Sequence, residues 1–342
     1  MKPQCTAALL LLAGCTLNPP HVAGKCEVPV GPVDAREIPR LDHHQHLLSE
    51  GARNATTAFL LTVDTSLARQ SEREPLVDGD RMVRLLDEAG IAKALVFSNA
   101  YYLSRSATEQ PGEYDKVKAE NDWTLTQVGR HPDRLYAACS VNPLRANAVA
   151  EIERCAASGG FKALKLHFDG SGVDVRKPEH VASVRGVFAT ANRLHLPIIA
   201  HLQSGVGPDG GQQARMFLTE FLPAAPDVPV TVAHLWGGGL YGSEAADALS
   251  EFASAVQRRD RATANLWFDL AQVSMVVTRH KQRDELVERM RQIGFARLLY
   301  GSDGPEWNGV PPKQHWEEFK ACMPLTRAEL DSVAGNIAPY LR

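Results

Sequence analysis

Arg40-Leu41-Asp42-His43-His44-Gln45-His46 sets three histidines and a carboxylate at the end of a short extended run. Side chains alternate across a strand, so this spacing predicts Asp42, His44 and His46 on one face and His43 and Gln45 on the other. A His-x-His at a strand end is a natural chelate, but histidines also make ordinary hydrogen bonds. The stretch acquires meaning from what recurs further along the chain.

Leu196-Pro197-Ile198-Ile199-Ala200-His201 and Val228-Pro229-Val230-Thr231-Val232-Ala233-His234 are buried-strand patterns that both close on Ala-His. Phe161-Lys162-Ala163-Leu164-Lys165-Leu166-His167 closes on a histidine, and Arg297-Leu298-Leu299-Tyr300-Gly301-Ser302-Asp303 on a carboxylate. The expected strands are Arg40 to His46, Ala92 to Ser98, Leu135 to Val141, Ala163 to Phe168, Pro197 to Leu202, Pro229 to Leu235, Asn265 to Leu270 and Arg297 to Asp303. Between them the expected helices are Asp78 to Ala89, Tyr114 to Gly129, Ala146 to Ser158, Pro178 to Leu194, Gly211 to Phe221, Glu244 to Arg258 and Arg279 to Ile293. A last helical region starts at Lys313. Gly90, Gly129, Gly159 and Gly294 stand where helices should stop.

Strand and helix alternating eight times predicts parallel pairing through right-handed crossovers. Eight such repeats close into a (β/α)8 TIM barrel, a single α/β domain over residues 36–342, whose strand ends converge on one mouth. A doubly wound open sheet competes, but no Gly-x-Gly-x-x-Gly turn follows the first strand.

Composition agrees with one large core: 342 residues, 44% of them hydrophobic. A net charge of -3 without long runs of one sign disfavours nucleic acid or an anionic membrane surface and leaves a small molecule as the partner. At the N-terminus Lys2 precedes an apolar run, Ala7 to Ala13, far short of the ~20 residues that span a bilayer. Leu12-Ala13-Gly14-Cys15 resembles the lipobox of bacterial lipoproteins. That resemblance implies a signal peptide over 1–14, acylation of Cys15 and a Pro-rich tether over 15–35. It also implies a lipid-anchored place in the cell envelope, on the outer membrane facing the periplasm since Thr16 follows the cysteine. An apolar start from a mis-assigned initiation codon is the alternative. Cys26, Cys139, Cys155 and Cys322 contain no Cys-x-x-Cys pair and read as scattered core or surface cysteines, neither a thiolate metal site nor a disulfide framework.

Taken together, Asp42-x-His44-x-His46, His201, His234 and Asp303 resemble the amidohydrolase superfamily. The nearer likeness is to its amidohydrolase-related branch of decarboxylases and lactonases, and it extends to Gly335-Asn336-Ile337-Ala338. The resemblance implies His44, His46, His201 and Asp303 as ligands of a divalent metal, zinc suiting three imidazoles and a carboxylate. It implies Asp303 and His234 as catalytic groups acting on a metal-activated water. Lys165 matches the strand-four lysine that bridges two metals in some relatives, which would give a second site with His234; one ion is expected rather than two. A lysine that neutralises Asp42 or Asp303, or holds an anionic substrate, is the other reading.

His167, Asn142, Trp236 and Tyr101 are candidate substrate-binding residues because they follow strand ends; Ser98, Tyr102 and Trp307 stand similarly. The long Leu47 to Val77 segment is a candidate lid. Hydrolysis of a lactone, ester or amide is the expected reaction, decarboxylation of a small carboxylic acid its rival. A non-catalytic surface-displayed binding lipoprotein is the alternative of another class.

Overall fold

The computed structural model describes residues 31, 37–62, 64–105, 108–204, 209–277, 279–304 and 310–342. The expected signal peptide, tether and Cys15 lie outside the described residues, as does Trp307.

Eight parallel strands follow one another in chain order around a (β/α)8 barrel. They are β1 Leu41–His46, β2 Lys93–Phe97, β3 Leu135–Ser140, β4 Phe161–His167, β5 Ile198–His201, β6 Val230–Val232, β7 Leu266–Asp269 and β8 Leu298–Leu299. Before β2 come α1 Glu50–Leu61, α2 Thr65–Arg73 and α3 Gly79–Ala89. Around the middle strands run α4 Glu113–Gly129, α5 Ala148–Ala157, α6 Phe168–Ser171, α7 Pro178–Arg193 and α8 Gly210–Met216. The remainder are α9 His234–Gly237, α10 Ser243–Gln257, α11 Val273–Val276, α12 His280–Ile293, α13 Pro312–Cys322 and α14 Arg327–Gly335.

All eight expected strands form, but β6 and β8 are shorter than their apolar patterns suggest. The chain leaves the ladder early there because its strand ends turn to present side chains: His234 and Asp303 both have positive φ, 55° and 56°. Closure between the last segment and β1 is carried by His43 N–H to Tyr300 O (2.9 Å) and Asp303 N–H to His44 O (2.8 Å). Among the expected helix-ending glycines, Gly90, Gly159 and Gly294 take positive φ. Gly129 instead is the last residue of α4, which is capped by Arg130.

Parallel strands covered by helices bury both faces, so two apolar layers result. Val96, Leu164, Leu166, Ile198, Val230, Val232 and Phe268 pack outward against helical residues such as Leu86, Ile152, Phe188, Phe252 and Leu286. Leu41, Leu95, Phe97, Ala138, Ala163, Ile199, Ala233 and Leu299 fill the interior, where Ala338 and Leu341 from the C-terminus close the floor.

The pairing of β1 departs from strict alternation. Asp42 stands opposite Ala94 and Gln45 opposite Val96, so the strand carries an extra residue between them. Such a bulge shifts the parity of everything beyond it. Asp42 therefore does not share a face with His44 and His46: its carboxylate accepts from Gln45 Nε2 (2.7 Å), Ser302 Oγ (2.7 Å) and Ser302 N (3.1 Å). His43 leaves the expected company of Gln45 and turns to the floor. There its Nδ1 donates to Tyr300 O (2.9 Å) and its Nε2 accepts from Ala338 N (3.1 Å).

The cysteines also correct the sequence expectation. Cys139 of β3 and Cys155 of α5 are joined in a disulfide with Cα atoms 6.3 Å apart, and Cys322 is disulfide-bonded as well. Sixteen residues separate the first pair in sequence, and only the return of α5 over β3 brings them together. The Leu47 to Val77 segment is a helical hairpin of α1 and α2, pinned at its base by an antiparallel bridge between Leu48 and Val77.

Candidate metal centre

The mouth is built from strand ends. His44 and His46 come from β1, His201 ends β5, His234 follows β6 and Asp303 follows β8. All are buried. Ligand atoms of His44, His234 and Asp303 lie within 4.8 Å of one another. His44 Nε2 and His46 Nε2 stand 3.4 and 3.5 Å from the same oxygen, Asp303 Oδ1. Ligands about 2.0–2.1 Å from a tetrahedral ion are spaced about 3.3–3.4 Å apart, so this spacing suits a divalent cation.

The other ring nitrogens strengthen the case. His44 Nδ1 meets Asp269 Oδ2 (2.9 Å), His46 Nδ1 meets Asn99 Oδ1 (2.8 Å) and His234 Nδ1 meets Ala271 O (3.1 Å). Each partner is an acceptor, so each Nδ1 carries the hydrogen and each Nε2 offers its lone pair to the interior. Burial holds His44 and His46 well below the usual histidine range, with the Lys165 ammonium adding to the effect, and His234 at about 4. Neutral imidazole is the form that binds a metal. Asp303 Oδ2 accepts from Gln272 Nε2 at 2.8 Å. Burial raises the Asp303 carboxyl, opposed by Lys165.

His201 stands directly opposite His167 in register. Its ring stacks 4.0 Å from His167 and lies edge-on 5.0 Å from His234. Gly238, at φ +120°, approaches it so closely that a Cβ would fall 2.2 Å from the ring, which explains a glycine at that point of the loop after β6. Lys165 is buried, its Nζ 3.2 Å from His44 Nε2 and 4.5 Å from the centre of the Phe97 ring. It borders the cluster of His44, His234 and Asp303.

The candidate substrate residues divide. Tyr101 stacks on His167 (5.0 Å, 26°). Trp236 packs edge-on against Tyr241 (5.1 Å) and its Nε1 has no hydrogen-bond partner among the described residues. Asn142 is engaged in the chain itself, donating to Ser104 O (2.7 Å) and accepting from Leu144 N (2.9 Å). The α1 helix approaches this side, where the Arg105 guanidinium lies 3.6 Å above the Phe59 ring.

Asp269, Asn99 and Gln272 were not singled out in sequence. Asp269 holds His44 Nδ1 and accepts from His234 N (2.9 Å), so one carboxylate orients two histidines. Its signal was present: Leu266-Trp267-Phe268-Asp269 is another apolar run closing on a ligand-type residue. Asn99 just follows β2 and is indistinguishable in sequence from a turn residue.

The Amidohydrolase family profile matches residues 41–336, nearly the whole described barrel. The chain belongs to the Amidohydrolase family. No curated protein matches its sequence. Among solved structures, this amidohydrolase is similar to 5-carboxyvanillate decarboxylase from Sphingomonas paucimobilis, at 16% identity and TM-score 0.61, covering 87% of this chain and 97% of that one. A probable 2-pyrone-4,6-dicarboxylic acid hydrolase from Acinetobacter baumannii, with citric acid bound, aligns at 14% identity and TM-score 0.54, covering 86% and 95%. A dihydroxybenzoic acid decarboxylase from a Polaromonas species, with bound manganese and the inhibitor 2-nitroresorcinol, aligns at 16% and 0.55, covering 86% and 94%.

Proposed function

We propose that this amidohydrolase is a metal-dependent hydrolase of a small lactone, ester or amide, with one divalent ion held by His44, His46, His201 and Asp303. The observation that carries the reading is the orientation of His44, His46 and His234: all three Nδ1–H groups are tied to acceptors, which turns each Nε2 toward the interior near Asp303, that of His44 also lying 3.2 Å from Lys165 Nζ. A bound divalent ion supplies Lewis acidity and lowers the pKa of a coordinated water to about 7. Zinc fits the imidazole-rich donor set, and manganese, bound by the Polaromonas enzyme, is the alternative.

The chain's own part is proton handling and positioning. Asp303 Oδ2, fixed by Gln272, and His234 Nε2, 4.0 Å away, form a pair able to take a proton from the attacking water and return it to the leaving oxygen or nitrogen. With its hydrogen on Nδ1, His234 presents Nε2 as an acceptor.

Decarboxylation is the second reading, favoured by the named activities of the Sphingomonas and Polaromonas structures. The purified chain is to be analysed for metal, with His44→Ala as control, then incubated with lactones, esters, amides and aromatic acids in 18O water. Label in the organic product with stoichiometric metal supports hydrolysis; release of carbon dioxide with no label in the organic product establishes the rival; turnover by metal-free protein refutes both.

For location we propose the exported, lipid-anchored protein that the Leu12-Ala13-Gly14-Cys15 resemblance implies. The Cys139–Cys155 disulfide supports this, since such bonds persist in oxidising compartments. Among the described residues no helix is long and apolar enough to cross a membrane.

A further inference from the structure

His167 differs from the three histidines around Asp303 in one respect. Its Nδ1 does not donate to an acceptor but accepts the Gly170 backbone N–H, at 2.9 Å. A neutral imidazole accepting at Nδ1 carries its hydrogen on Nε2. His167 Nε2 is buried and has no hydrogen-bond partner among the described residues. The ring's orientation is held by stacking on Tyr101 (26° between planes) and on His201 (11°). Gly170 is suited to this contact, since a Cβ there would stand 3.0 Å from the Tyr101 ring and 3.2 Å from His167 Nδ1. A buried donor left unmade is costly, and a ligand acceptor would recover that cost.

The electrostatic surroundings select the acceptor. Lys165, on the same strand, and Arg105 both act on the His167 ring with positive charge. Arg105 pairs with Asp169 across 3.8 Å, and its side chain leans on the Phe59 ring above. A donor among cations, beside a metal centre, suits an oxygen bearing negative charge.

We propose that His167 is a substrate-positioning residue whose Nε2–H donates to a carboxylate or other anionic oxygen of the substrate, holding it against the Tyr101 side of the mouth. This rests on the metal-centre reading for its neighbours but not for its own tautomer, which can be measured separately.

The test uses the two amides that imitate the two nitrogens. His167→Asn can keep the acceptor for Gly170 N–H and lacks the outer donor. His167→Gln keeps an outer donor and loses the acceptor. Acetate and benzoate are titrated into the zinc-loaded wild type and both variants, with zinc content measured in each. Histidine-selective 15N spectra report the tautomer, in metal-free protein too.

The expected results are an Nε2–H tautomer at His167 against Nδ1–H at His44, His46 and His234, and a shift of the His167 Nε2 signal on adding benzoate. His167→Asn should weaken anion binding roughly tenfold or more, the scale of one charge-assisted hydrogen bond. His167→Gln should stay within about threefold, and zinc content should hold in both. The proposal is overturned by an Nδ1–H tautomer, by wild type that binds neither anion, or by the reverse ranking of the variants, which would make His167 only a cap for the loop after β4. Loss of zinc from the wild type would instead sink the metal reading and leave the tautomer to decide this one.

Discussion

His43 and His44 are neighbours in the chain and equally hidden from solvent, yet they serve opposite ends of the barrel interior. At the floor, His43 spends both nitrogens on backbone, giving to Tyr300 O and accepting from Ala338 N. At the mouth, the His44 ring meets ionisable side chains instead: Nδ1 is held by Asp269, and Nε2 lies 3.2 Å from Lys165 Nζ and 3.4 Å from Asp303 Oδ1. Burial is the same, so burial does not mark the functional histidine; what its nitrogens meet does, backbone at the floor and ionisable side chains at the mouth.

The sharpest way to break that comparison is to delete each ring. His44→Ala should abolish stoichiometric metal, from about one ion per chain to near none, as read by plasma mass spectrometry. His43→Ala should keep the metal and instead lower the unfolding free energy by about 2–4 kcal/mol, because it strands two buried backbone groups, measured by urea titration. Equal metal content in the two variants would erase the distinction between floor and mouth.

A smaller effect isolates the support behind His44. Asp269→Asn leaves every ligand in place and removes the carboxylate that orients His44 and His234. Metal affinity should fall about 10–100-fold, as for other partners of ligating histidines. A competition titration with a chromophoric chelator reads this directly, and unchanged affinity would mean that the mouth histidines need no such backing.

The least effect comes from acid. Burial lowers His43 from 6.5 to about 4. Between those values the unfolded chain binds a proton that the native floor refuses. The stability contributed by neutral His43 is therefore complete above pH 6.5 and is lost as pH falls toward 4. In metal-free protein, His43→Gln should flatten the stability slope in that window by up to about 1.4 kcal/mol per pH unit. A slope identical to wild type would remove His43 from the acid response.

Much of the site was legible because an apolar run ending in one polar residue has few meanings inside a parallel barrel. His201, His234 and Asp303 stand out that way and His44 and His46 as a His-x-His at a strand end, and all five lie at strand ends of the barrel. Asp269 carried the same signature but was hidden by extending its strand to Leu270. Asn99 and Gln272 had no signature, since their importance lies in what they hold. Strict alternation misplaced Asp42 and His43 because one extra residue in β1 reverses facing without altering composition. The absence of Cys-x-x-Cys spacing misdirected the reading of Cys139 and Cys155, which pair through packing rather than sequence proximity.

The sequence by itself determined the period of strand and helix, the eight repeats and the ligand-type residues at strand ends, because hydrophobic periodicity is local and its repetition dictates closure. Only the tertiary structure decided which histidine faces the floor and which the mouth, and which nitrogen of each is spoken for. The bulge answers to the pairing of β1 with β2. The tautomers answer to Asp269, Asn99, Ala271 and Gly170, groups that reach those rings only after the barrel has closed.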